Sequence, residues 1–294
     1  MINYSAILTT YNAERTLSKA VNSILSQSVL PSEVIIVDDF SSDLSYKVGK
    51  ETISRFCPIK IYRNSKNFGV AFSRNFAVQH ALENYIVFFD DDDVSLQNRA
   101  EVHLDHFKLG ASVSYVSSIK RYPTGYIVES ISDDFLGKLS PQDCAKMQFL
   151  GSRQYSLATP ASCMAITKKQ FLSVGGFDSE LRRLEDADIF IRLASANADF
   201  AFTSVVGVER FDFGKAASEF EGISQKSILN KHHRLLTKRD FREAAFKVET
   251  RDLYFRKRTG RLMLRILREL VTNPRQIRYL SLGAKRIKHD WARK

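Results

Sequence analysis

The runs Glu33–Val37 (EVIIV) and Tyr85–Phe89 (YIVFF) constrain this chain more than any other feature. Both are almost wholly apolar and short, without the polar alternation of a strand that has one wet face, so both read as strands buried on two sides. Covering two sides takes helices, and the sequence between the runs supplies them. Ser5–Thr9 is β-rich and leads into Glu14–Gln27, where Leu17, Val21, Ile24 and Leu25 fall at helical spacing. Past Pro31-Ser32 and the first run, Asp43–Phe56 reads as a helix that stops before Pro58. The same pattern then repeats: strand Ile59–Tyr62, helix Val70–Leu82, strand Tyr85–Phe89, helix Leu96–Leu109. Four alternations in about 110 residues predict an α/β fold with a mainly parallel sheet and right-handed crossovers.

Ligands of such sheets gather at the C-terminal ends of the strands. There the chain places Thr9-Thr10-Tyr11-Asn12, then Asp38-Asp39-Phe40-Ser41-Ser42-Asp43, then Asp90-Asp91-Asp92-Asp93. Neither GxGxxG after the first strand nor GxxxxGK[ST] anywhere offers a glycine-rich phosphate cradle. Four successive carboxylates repel one another unless a cation binds, and oxygen donors without His or Cys suit Mg²⁺ or Mn²⁺ shared with a diphosphate. The plainer reading is that Asp92 or Asp93 caps the following helix, which accounts for one or two of the four. Tyr11 is either a packing aromatic or a stacking platform, and Asp38-Asp39 also suits a turn.

In this order the segments resemble the family 2 glycosyltransferases, inverting enzymes of the GT-A fold that use nucleotide-sugars. The resemblance covers roughly residues 4–225. Thr9-Thr10-Tyr11-Asn12 is similar to T-x-Y-N, which implies Tyr11 against the nucleotide base with Thr9 and Asn12 beside it. Val37–Asp43 (VDDFSSD) is similar to VDDxSxD, implying that Asp39, with Asp38, recognises a base, commonly uracil. Asn67–Asn75 (NFGVAFSRN) resembles NxGxxxARN with Ser73 for Ala, placing Asn67 and Arg74 near the nucleotide-sugar. Phe88–Asp93 resembles the DxD segment, implying Asp90 and Asp92 as metal and diphosphate contacts with Asp91 in the donor site. Gly175-Gly176-Phe177-Asp178 resembles the acceptor-side loop, and Glu185-Asp186 the acidic pair heading a helix, Glu185 on the acceptor side and Asp186 as base. Inversion is a single displacement, so one carboxylate must take the acceptor hydroxyl's proton opposite the leaving diphosphate. Gly175-Gly176 also fits a plain turn after helix Lys168–Val174, and Glu185-Asp186 a plain helix start.

No QxxRW-like segment surrounds the single tryptophan, Trp291, and no apolar run reaches the roughly 18 residues of a spanning helix, which implies a non-processive enzyme adding one sugar. Relatives carry Arg-x-His after the last strand; here Arg210-Phe211-Asp212 stands in its place. His232-His233 reads as a surface pair. Met1-Ile2-Asn3-Tyr4 lacks the start of a signal peptide, and Cys57, Cys144 and Cys163 keep no metal spacing, so the expected setting is cytoplasmic with ordinary thiols.

Charge divides the chain. Of the net +11, residues 226–294 contribute +15, from 21 basic and 6 acidic residues, leaving −4 on residues 1–225. We read 1–225 as the catalytic domain and 226–294 as a basic helical extension, with helices at Lys226–Leu236, Asp240–Tyr254, Arg261–Val271 and Gln276–Ile287. Residues 256–294 either pack on the body or dock peripherally on an anionic membrane surface, which suits a lipid-linked acceptor as well as a glycan. Two other functions compete. A nucleotidyltransferase wants a basic glycine-rich loop that TTYNAERT does not supply. Nucleic-acid binding through the tail has no recognition motif, and Tyr254, Phe255 and Tyr279 are too sparse for stacking.

Overall fold

The structure is a computed structural model that describes residues 2–52, 57–122, 125–129, 134–150, 159–211 and 219–255, with 261, 262, 264–266 and 268. The expected alternation of strands and helices is present in the first 110 residues: β1 (Tyr4–Thr10), α1 (Leu17–Leu25), β2 (Glu33–Asp38), α2 (Ser45–Glu51), β3 (Ile59–Arg63), α3 (Val70–His80) and β4 (Tyr85–Asp90). There follow β5 (Val94–Ser95), α4 (Arg99–Lys108), β6 (Val113–Tyr122), β7 (Gly125–Glu129), β8 (Phe135–Lys138) and α5 (Pro141–Leu150). The rest comprises β9 (Met164–Thr167), α6 (Lys168–Ser173), α7 (Glu185–Ser195), β10 (Asp199–Phe211), α8 (Glu219–His232) and α9 (Lys238–Phe255).

One sheet runs β3-β2-β1-β4-β9-β6-β10-β5, with β7 beside β6 and β8 beside β10. β3, β2, β1 and β4 are mutually parallel, as are β6 and β10; β9 joins the two groups antiparallel to both β4 and β6. The apolar runs behave as their composition demands. Ile35, Val37, Ile86 and Phe88 join the core on one side of the sheet with α3, α5 and α7, while Val34, Ile36, Val87 and Phe89 join the other with α1 and α4. Each such side chain contributes about 1.5–3 kcal/mol of burial.

Helix starts differ from the sequence reading, for a shared reason. α1 begins at Leu17 rather than Glu14 because Asn12 takes a left-handed φ of 52° and the amides of Asn12, Ala13 and Glu14 are claimed by Ser41, Ser45 and Asp43. Asp43 also accepts from the Ser45 amide at 2.9 Å, which moves the start of α2 to Ser45. After the acid run the chain forms β5, antiparallel to β10, before α4 starts at Arg99. That removes the capping reading of Asp92 and Asp93.

The boundary at 225/226 falls inside α8. α8, α9 and the turn between them place Ile228, Leu229, Leu236, Ala244 and Val248 in the same core as α7. Among the described residues no helix is long and apolar enough to cross a membrane. The three cysteines are buried free thiols. The helix read at 276–287, Trp291 and Asp212 lie outside the described residues, as does most of 256–294.

Candidate active site

Parallel pairing brings the ends of β1, β2 and β4 together. Thr9 sits in register with both Val37 and Asp90, and Thr10 with Asp38. Beyond the last pairs, the Tyr11 amide donates to Asp91 Oδ2 at 2.9 Å, and Asn12 Oδ1 accepts from the Ser42 amide at 2.8 Å. Tyr11 itself is 50% exposed at this rim.

The two acids that end β2 do different work. Asp38 is fully buried, with Oδ2 3.2 Å from Arg63 Nε and accepting from the Ser41 amide at 3.2 Å, while Oδ1 is buried without a partner. Asp39 accepts from the Asn64 side chain at 2.7 Å and from the amides of Phe68 and Gly69 at 2.9 and 2.8 Å. It therefore holds the loop that carries Asn67, whose Oδ1 accepts from Arg182 at 3.2 Å. A carboxylate offers about four acceptor positions, so these three bonds leave Asp39 about one.

Arg74 is the hinge of the site. Buried on α3, it donates from Nη2 to Asp90 Oδ1 at 2.6 Å and from Nη1 to Glu185 Oε1 at 2.7 Å, which ties the end of β4 to the first residue of α7. Burial alone would weaken its charge, but Asp90 and Glu185 outweigh that and hold the guanidinium firmly protonated. Glu185, read as an acceptor-side residue, is spent on this pair. Asp186 follows on the next turn position, its Oδ1 accepting from the Ala187 amide at 2.8 Å. Burial first, then Glu185, raises its carboxyl to about 7 against the opposing pull of Arg74. Asp186 keeps an opening to solvent.

The acid run is crowded from the same causes. Asp91 is raised to about 7 mainly by burial, with Asp92 and Asp90 adding repulsion. Asp93 is raised likewise, although Arg210 Nε lies 3.9 Å away and relieves part of it. The donor set is all carboxylate, and a cation would relieve the repulsion, so these residues fit a hard divalent ion. Among the described residues no three acidic, His or Cys side chains are grouped so as to hold a metal ion by themselves.

Behind the site, Gly175 and Gly176 close α6 with φ of 77° and 69°, a plain helix-ending turn. A Cβ on Gly176 would stand 2.6 Å from Asn75 Oδ1. Asn75 needs that room because it clamps Phe177 on both sides, accepting from its amide and donating to its carbonyl at 2.8 Å each. The Gly175-Gly176 loop also borders a cleft of about 370 Å³ with Arg192 and Lys231.

Residues beyond the expected set support this geometry. Arg99 is fully buried and donates to the Phe88 carbonyl at 2.6 Å and to Ser95 Oγ at 2.9 Å, bracing the acid run from beneath. Its mark in the sequence is an arginine on the apolar stripe Ala100, Leu104 and Phe107. His232 corrects the surface reading. It is buried with Nε2 2.9 Å from Asp188 Oδ1, while His233 is exposed. Asp188 also accepts from Arg192 Nε at 2.7 Å and lies 3.0 Å from Lys231 Nζ.

Comparison with known proteins decides the family. The model of the family described as Glycosyl transferase family 2 matches residues 5–173, more than half of the chain. The chain belongs to glycosyltransferase family 2. This glycosyltransferase is 28% identical over 192 residues to an uncharacterized glycosyltransferase of Haemophilus influenzae, covering 64% of this chain and 61% of the relative. It is 37% identical over 101 residues, 34% of this chain and 39% of the other, to the Escherichia coli UDP-Glc:alpha-D-GlcNAc-diphosphoundecaprenol beta-1,3-glucosyltransferase WfgD. The chain thus spans less than two thirds of the length of these relatives. In fold it is similar to S. aureus TarS 1-349 crystallised with UDP-GlcNAc, with a TM-score of 0.64, 17% identity, and coverage of 86% of this chain and 73% of that one. The mostly parallel sheet flanked by helices is accordingly the expected GT-A fold.

Proposed function

We propose that this glycosyltransferase is inverting and non-processive, moving one sugar from a UDP-type nucleotide-sugar to a glycan or lipid-linked acceptor in bacterial surface polysaccharide synthesis. The observation that carries the reading is the Arg74 bridge, which fixes Asp90 of the donor-side acid run against the helix start that presents Asp186. The names of the relatives support the donor and acceptor classes: one uses UDP-Glc and a diphosphoundecaprenol-linked sugar, and the TarS crystals hold UDP-GlcNAc.

In this reading Tyr11, Asn12, Asp38 and Asp39 form the base side of the donor site, and Asn67, Arg74 and Asp91 lie along its diphosphate. Asp90 and Asp92 are the residues that would hold Mn²⁺ or Mg²⁺, and the ion would supply charge neutralisation for a departing nucleoside diphosphate. Arg74 keeps Asp90 in place, and Asp186 accepts the proton of the acceptor hydroxyl. Gly175 and Gly176 shape the acceptor side through the Asn75 clamp.

Calorimetry of the full chain with UDP, GDP, CMP and TDP, in Mn²⁺ and then in EDTA, tests the reading. UDP is expected to bind only with the cation, and Asp92→Ala to weaken that binding at least tenfold. Binding that ignores EDTA removes the metal, and binding of no nucleotide removes the whole assignment.

The basic tail is proposed to dock on anionic lipid, since +15 of charge lies in residues 226–294 and each basic residue near such a surface contributes about 1 kcal/mol. Vesicles containing anionic phospholipid are expected to retain the full chain and to release a variant lacking 256–294. Equal retention of both ends the membrane proposal.

A further inference from the structure

We infer that Phe40 is a binding residue of the donor site, a wall against which the nucleotide base packs; the inference rests on the proposed function. Phe40 combines two features that the fold alone leaves unexplained. Its backbone φ is 67°, in the left-handed region that bulky side chains rarely adopt. Its ring is 48% exposed, so burial does not repay that conformation.

The surroundings hold the strained residue in place. On one side the Asp39 amide donates to the Thr10 carbonyl at 2.9 Å, and on the other the Ser41 amide donates to Asp38 Oδ2 at 3.2 Å. The ring rests over the Arg63 guanidinium, 5.6 Å from its centroid. Arg63 is fixed in turn by Asp38 at 3.2 Å, by the Ser41 carbonyl at 2.8 Å and by the Tyr46 ring at 5.0 Å. One face of Phe40 is therefore backed by a guanidinium that is itself held by Asp38 and Ser41. Residues forced into such backbone regions by their neighbours cluster where ligands bind.

The position selects the ligand. Thr10 and Asp38 are the last paired residues of β1 and β2, so Tyr11 leaves the sheet beside Asp39, and Phe40 stands one residue farther out. Two half-exposed aromatics thus flank the ends of adjacent strands, on either side of Asp39, whose carboxylate accepts three bonds and keeps about one acceptor position. A planar heterocycle with ring N–H groups, the base of a nucleotide, matches that combination of apolar faces and a spare acceptor.

The decisive variant is Phe40→Gly in the full chain, because glycine adopts a φ of 67° without steric cost. A ring kept for ligand binding predicts a melting temperature equal to or above wild type, together with UDP affinity in Mn²⁺ lowered roughly 5- to 150-fold, the range of one lost base–aromatic stack. Phe40→Tyr is expected to bind UDP within about twofold of wild type, and inorganic pyrophosphate, which has no base, to bind Phe40→Gly and wild type alike. Unchanged UDP affinity in Phe40→Gly overturns the inference, as does an equal loss for pyrophosphate or a loss that tracks unfolding. If wild-type protein binds UDP while Phe40→Gly is unaffected, the proposed function stands and only Phe40 falls. If wild type binds no nucleotide, both fall.

Discussion

Replacing Asp186 by Asn is expected to lower sugar-transfer turnover by about 10²- to 10⁴-fold, the contribution of a positioned general base, while UDP binding in Mn²⁺ stays within a few-fold of wild type. The amide keeps the shape of the side chain and loses the basic oxygen. Its environment gives the experiment a second axis. Burial and the neighbouring Glu185 raise the Asp186 carboxyl to about 7, so the residue is protonated, and idle as a base, below that pH. Wild-type kcat/KM is therefore expected to rise as pH approaches neutrality and then level off, and the residual activity of Asp186→Asn to rise less steeply, since Asp91 and Asp93, also raised to about 7, still titrate there. The stability consequence has the opposite sign. A carboxyl whose folded-state value lies above its unfolded value favours folding least when ionised, so stability declines as pH rises from the ordinary carboxylate range through about 7. Asp186→Asn is consequently expected to melt no lower than wild type at pH 8. Retained turnover in that variant removes Asp186 as the base; lost turnover with a lowered melting temperature points to misfolding instead.

The second large effect is on stability. Asp188 is fully buried two residues after Asp186 and is surrounded by Arg192, Lys231 and His232. Burial opposes its ionisation, yet the His232 hydrogen bond, Arg192 and Lys231 together win and hold it at about 2. Asp188→Ala leaves those donors facing one another, and removing one partner of a buried pair costs roughly 3–5 kcal/mol. The low end, about 3 kcal/mol, applies because the Lys231 side chain is 37% exposed. At roughly 2 °C per kcal/mol for a chain of this size, a drop near 6 °C in melting temperature is expected. Since the folded-state value is depressed, the contribution is whole above the ordinary carboxylate range and disappears as pH falls through about 2. Thermal melts of both proteins at pH 7 check this. Coincident curves remove Asp188 as the anchor of α8.

Features carried by local sequence were legible. Two-sided strands announce themselves as unbroken apolar runs, and Tyr11, Asp39 and the four acids could be placed at one rim because strand ends in a parallel sheet converge. What escaped depends on partners distant in sequence. The late start of α1 follows from side chains about 30 residues away that take its first amides. Glu185 was read by its neighbours in sequence, whereas its actual partner, Arg74, lies 111 residues earlier. His232 looked like half of a surface pair because nothing local reveals a buried acid 44 residues upstream. A charge count drew a boundary at 225 because it sees only composition, and a basic helix can carry an apolar face. β5, two residues long, has no periodicity to detect.

The packing of α8 and α9 on α7 limits how this enzyme can be recombined. A chimera joined at residue 225 would cut α8, strip Leu229, Leu236, Ala244 and Val248 from their shared core, and leave Asp188 without Lys231 and His232. The exchangeable unit extends at least through Arg265, whose Nε pairs with Glu249 of α9 at 2.6 Å and whose guanidinium lies over the Phe246 ring, with Leu262 buried, so grafts that keep those contacts together with the helix pair are the ones that leave the helix bearing Asp186 undisturbed.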